Sequence, residues 1–105
     1  MDTVDVKAVV KKETTPTEDG TRLAAHVLKQ KYALQALTLD VRGLAPEDLV
    51  SSFVNAFLHT LQGSGVDIRV ARKITWQARF PSEKDRLRQL VDLYVDDAVT
   101  EATAR

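Results

Sequence analysis

The chain has no cysteine. That excludes disulfides, thiolate nucleophiles and cysteine-held metals together, and it suits a reducing interior. It has no net charge either, with 15 lysines and arginines against 15 aspartates and glutamates. No overall field therefore draws it to nucleic acid or to an anionic membrane. No apolar run approaches the roughly 20 residues that a membrane-spanning helix needs. The opening MDTVDVKAVVKK lacks a positive region followed by an apolar core, so a signal peptide is not expected and a cytoplasmic location is. Neither G-x-x-x-x-G-K nor G-x-G-x-x-G occurs, so no phosphate cradle and no cofactor is expected. Gly63 and Gly65 form a close glycine pair, but they follow a helical pattern, at the wrong end for an anion site.

What is present bounds one small α/β domain. A chain of 105 residues makes one domain and buries roughly two-thirds of its unfolded surface, enough for a single core. Residues 4–10 alternate apolar and polar and predict a strand. The polar stretch KKETTPTEDG predicts a surface loop over residues 11–19, with Thr17 or Asp19 capping a helix over residues 20–32. Residues 37–41 predict a second strand, sandwiched by helices. Pro46, followed by Glu47 and Asp48, suits the first turn of a helix carrying apolar pairs from Leu49 to Leu61. Val66, Ile68 and Val70 alternate with polar residues, and so do Ile74, Trp76, Ala78 and Phe80. The pattern predicts two strands or one bent strand at a sheet edge, with Trp76 and Phe80 facing the core. Such an edge invites pairing with a second copy of the chain. Pro81 and Ser82 open a last helix, and residues 101–105 are expected to fray. The order β-α-β-α-β(-β)-α implies a largely parallel or mixed sheet with helices packed on it.

Chemistry is sparse. His26 and His59 lack a metal-ligand neighbour at helical spacing, and no metal site is expected. Asp40 stands at the carboxyl end of a strand, where open α/β sheets place functional groups, with Glu47 and Asp48 in the next loop. Those three carboxylates are candidates for docking a partner, or for a cation. Ser51 and Ser52 are candidates for phosphorylation near a helix N-terminus, although a helix starting at Pro46 puts them in its second turn. Residues 67–88 carry seven basic side chains against three acids. Arg69, Arg72, Lys73 and Arg79, beside Trp76 and Phe80, are the candidates for contact with nucleic acid. A small enzyme centred on Asp40 and Ser52 is the third alternative, and no acid–base constellation supports it.

The run GTRLAAHVLKQKYALQALTLDVRGLAPEDLVSSFVNAFLHTL resembles the STAS-like domain family of unknown function, a relative of the sulfate-transporter and anti-sigma-factor-antagonist domain. The resemblance rests on Arg22, Leu23, Ala24 and Ala25, then on Leu39, Asp40 and Gly43, then on Ser51, Ser52, Phe53 and Asn55. It covers residues 20–62 and departs at Val41, where an aromatic is usual, and in the loop 44–50, with its proline and two acids. The resemblance implies a STAS-like fold and a non-catalytic regulatory domain in a prokaryote. It further implies a kinase-like or other regulatory protein partner, with Ser51 or Ser52 as the switch and Asp40 and the loop 44–50 as the docking surface.

Overall fold

Three short stretches, each turning its apolar residues to the same side, pair side by side and collect every long helix onto one face. In the computed structural model, which describes residues 2–10 and 14–103, β1 (Asp2–Asp5) is followed by α1 (Val6–Val9) and α2 (Pro16–Gln30). Then come β2 (Leu37–Asp40), α3 (Ser51–Gly63), β3 (Thr75–Gln77) and α4 (Pro81–Thr103). Short 3-10 segments precede β2 at Leu34–Ala36, α3 at Pro46–Asp48 and β3 at Ile68–Lys73. The sheet is parallel throughout, in the order β1-β2-β3. The fold is a single small α/β domain whose radius of gyration, 12.9 Å, matches a folded chain of this length. No helix among the described residues is long and apolar enough to cross a membrane.

The period of two decides the layers. Val4, Leu37, Leu39 and Trp76 point to one face and are buried with Leu23, Val27, Phe53, Phe57, Leu87, Val91 and Val95 from the helices. The other face carries Thr3, Thr38 and Thr75 in one cross-strand row and Asp5, Asp40 and Gln77 in the next. Those six are exposed or half-buried. The expectation of a strand sandwiched by helices is therefore corrected: the helices cover one face of β2 and leave the other polar face open. Parallel sheets are ordinarily covered on both faces.

The helical layer is held by a close crossing. Thr15 caps α2, accepting from the Glu18 amide at 3.2 Å, with the Glu18 carboxylate 3.2 Å from the same hydroxyl. Pro16 takes the first helical position, where its missing N–H costs nothing. The helix thus begins at Pro16 rather than Gly20, and residues 16–19, expected as loop, are its first turn. Lys11, Lys12 and Glu13 of that expected loop lie outside the described residues. Gly20 falls inside the helix and against α3. A β-carbon there would lie 2.2 Å from the Phe53 carbonyl oxygen and 2.9 Å from the Phe57 nitrogen. Phe53 and Phe57 are fully buried, and the Phe57 ring meets Trp76 edge-on at 6.2 Å, tying α3 to β3.

Further expectations change. The first strand is Asp2–Asp5, not 4–10, because Val6 turns into α1 while keeping its side chain in the core. The strand expected over Val66, Ile68 and Val70 is a 3-10 segment. Asp67 caps it by accepting from the Arg69 amide at 3.1 Å, and its buried residues, Ile68 and Ala71, recur with a period of three. Phe80 lies beyond β3 and is 59% exposed, not in the core. The edge strand is only three residues long, which leaves few free backbone groups for pairing a second copy. At the far end α4 runs to Thr103; Ala104 and Arg105 lie outside the described residues.

Gly20→Ala tests the crossing. Alanine gains about 1 kcal/mol over glycine in a helix interior, but here its methyl meets backbone that cannot swing aside. A 2.2 Å approach to a backbone oxygen puts the cost at or above the upper end of the roughly 1–3 kcal/mol typical of overpacking, so the expected net result in urea unfolding is a loss of about 2 kcal/mol or more. An unchanged or raised midpoint contradicts the crossing.

Candidate functional site

The chain reverses between each strand and the helix that follows it, so the N-terminal ends of α2 and α3 gather at the carboxyl end of the sheet. Ser51 and Ser52 lie there, as the first two residues of α3. The expectation of a helix running from Pro46 is corrected. Pro46–Asp48 forms a separate 3-10 turn, and Val50, with extended backbone angles, is the cap of α3. The serines thus sit in the first turn, not the second. No side chain caps this helix and no acidic residue occupies its first turn. The first amides of a helix have no acceptor within it, and the helix dipole adds positive potential at that end. Both serines are exposed, and their hydroxyls have no hydrogen-bond partner among the described residues.

Ser52 borders a groove of about 490 Å³ between α2 and α3, together with Thr17, Thr21, Asn55, His59 and Tyr94. Tyr94 crosses from α4, its hydroxyl donating to Gln62 Oε1 at 2.8 Å. Partial burial, and secondarily the charge of Glu101, raise the Tyr94 pKa. Ala56 lines the groove and also touches Gly20, so the close helix crossing forms its floor. Sequence reasoning missed this groove. Its only signal was a glycine inside a helical pattern, which marks a close approach.

Asp40 is not free. Arg42 donates to it through Nε at 3.0 Å and Nη2 at 2.9 Å, and the Arg42 amide donates at 3.0 Å. Those hydrogen bonds hold the Asp40 carboxyl below the usual carboxylate range, against some desolvation. Glu47 is exposed and Asp48 half-buried in the turn before α3. Among the described residues no three carboxylates or histidines converge on a common point, so Asp40, Glu47 and Asp48 are not assembled into a cation site. His59 stands seven residues after Ser52, about 10 Å along the helix axis. A base must lie within about 3 Å of a nucleophile, so the two do not form a catalytic pair.

The basic candidates are dispersed. Arg69 is held by Asp67 at 3.0 and 2.8 Å, and those bonds lower the Asp67 pKa. Arg72 pairs with Asp92 at 3.3 Å and with Asp96 on α4. Arg79 pairs with Glu83 at 3.1 Å. Only Lys73 of the four is without an ion pair among the described residues. His26 stacks at a tilt near Tyr32, ring centres 6.1 Å apart. No family model, curated protein or solved structure matches the chain.

The Asp40–Arg42 pair carries a pH prediction. Its folded-state pKa lies below the unfolded value of about 3.9. The pair therefore stabilises the fold above about pH 4, and that contribution is lost as pH falls through the folded value. Carboxyl-carbon NMR of Asp40 is expected to titrate low in the wild type and to return to the ordinary range in Arg42→Ala. Identical titrations would refute the contact.

Proposed function

We propose that this is a non-catalytic regulatory domain of STAS-like type, which binds a protein partner at the carboxyl end of its sheet and is switched by phosphorylation of Ser51 or Ser52. One observation carries the reading: both hydroxyls are exposed in the uncapped, acid-free first turn of α3. A phosphate on either serine meets free backbone amides and the positive end of the helix dipole, a stabilisation of about 0.3–1 kcal/mol. Modification is thus compatible with the folded helix. The charge it adds falls on the docking surface, beside Glu47 and Asp48 and at the mouth of the groove that Ser52 borders. Against a partner that accepts the bare serine, about 1–3 kcal/mol of repulsion and desolvation corresponds to roughly 5–150-fold weaker binding.

The alternatives have less support. Three of the four arginine and lysine candidates for nucleic-acid contact are neutralised by local carboxylates. An enzyme centred on Asp40 and Ser52 lacks a base near the serine and a free carboxylate at Asp40.

The test compares wild type, Ser52→Ala and the phosphomimetic Ser51→Asp/Ser52→Asp as baits in extract of the source cells, with circular dichroism to verify folding. A protein captured by wild type and by Ser52→Ala, and at least fivefold less by the double aspartate, is the expected result. Recovery of no protein by wild type and Ser52→Ala, or equal recovery by all three folded baits, would count against the proposal.

A further inference from the structure

A second polar cleft lies away from the serines, where the 3-10 segment Ile68–Lys73 turns into β3 and α4 passes alongside. Its volume is about 200 Å³, and Arg72, Lys73, Thr75, Trp76, Lys84 and Arg88 line it. Four cationic side chains converge on this small space. Arg72 has its charge met by Asp92 and Asp96. Lys73, Lys84 and Arg88 have no ion pair among the described residues, whereas Arg42, Arg69, Arg72 and Arg79 each hold a carboxylate. Lys84 and Arg88 are four apart on α4, where neighbouring like charges destabilise a helix slightly. Lys73 faces them from the other wall. Asp92, four residues after Arg88 and beside it in the adjoining space, offsets part of this repulsion, and an anion entering the cleft would relieve the rest.

We propose that this cleft binds the phosphoryl group of a small phosphorylated molecule. The donors suit that chemistry. Two ammonium groups and a guanidinium offer only N–H donors. Charge-assisted bonds to phosphate oxygens are the strong kind, and arginine can make them in pairs. The surroundings favour a compact anion over a nucleic-acid strand. The arginines that would extend a track are bound to carboxylates, and Asp92, Asp96, Asp97 and Glu101 follow along α4 in an acidic run. A polyanion leaving the cleft in that direction meets like charge. The inference is independent of the serines and of the groove between α2 and α3.

Trp76, the single tryptophan, lines the cleft and supplies the readout. Its emission is followed while the full chain is titrated with inorganic phosphate, pyrophosphate or a nucleoside 5′-monophosphate, with sodium chloride at matched ionic strength as the control. Saturable change with at least one phosphate compound and none with chloride is expected, accompanied by a rise in Tm. The order of affinities separates free phosphate from a phosphorylated metabolite. Lys84→Gln/Arg88→Gln is expected to weaken binding at least tenfold while leaving the ligand-free Tm unchanged or higher, because it removes an unfavourable charge pair. Arg86→Gln, on the same helix but outside the cleft, is expected to bind as wild type does. Non-saturable change, an equal response to chloride, or undiminished binding by the folded double variant would overturn the proposal. So would a single-stranded RNA 12-mer that binds more tightly than every phosphate compound and displaces it.

Discussion

The close crossing of α2 over α3 at Gly20 is the contact on which the rest of this structure depends. The hydrogen that takes the place of a side chain there points at the Phe53 carbonyl oxygen, an approach that glycine alone allows. It lets the two helices share one layer narrow enough to cover the buried face of a three-stranded sheet. Phe53 and Phe57 fill the space between that layer and the strands, and the Phe57–Trp76 contact carries the same anchoring across to β3. The crossing is also functional geometry. Thr17 and Thr21 flank Gly20 on one wall, Ser52 and Asn55 stand on the other, and Ala56 lies at the floor. Core packing and the proposed docking site are thus two sides of one helix–helix contact.

Charge is organised locally rather than globally. With zero net charge, the fold places carboxylates two residues before Arg42 and Arg69 and four after Arg79, so each cation is answered within its own turn. Arg72 is answered from α4. These exposed pairs add little stability, but they decide which positive charges remain available. Among the described residues without an ion pair, Lys73, Lys84 and Arg88 meet at the cleft beside Trp76. The serines, in contrast, occupy a helix end with no side-chain cap and no acidic residue in its own first turn. The two regions are opposite in kind: one offers a place for charge to be added covalently, the other for it to bind.

The parts of the fold legible in the sequence were those set by strict local periodicity. Leu37 and Leu39 alternate cleanly, and the pairs from Phe53 to Leu61 step by four, so β2 and α3 read correctly apart from the start of the helix. The errors came where a local device outweighed the apolar pattern. The polar density of residues 11–19 read as a loop, yet Thr15, Pro16 and Glu18 are a cap, a first helical position and an acid that accepts from the capping hydroxyl. Val66, Ile68 and Val70 alternate like a strand, but Asp67 caps a tighter turn and the buried set follows a period of three. Phe80 shares parity with Trp76 but lies past the strand end. At the candidate site, the exposure of Ser51 and Ser52 depended on whether the helix began at Pro46 or after Val50, and both starts have favourable residues. The convergence of Lys73 with Lys84 and Arg88 is tertiary and has no signature in spacing.

The most direct measurement is a nuclear Overhauser spectrum of the labelled chain in solution. The account predicts strong cross-peaks from the Gly20 α-protons to the Phe57 amide proton and to the Ala56 methyl group, together with slow amide exchange for Phe57. Absence of those cross-peaks in a folded sample, with Gly20 α-protons near solvent and the two helices apart, would contradict it.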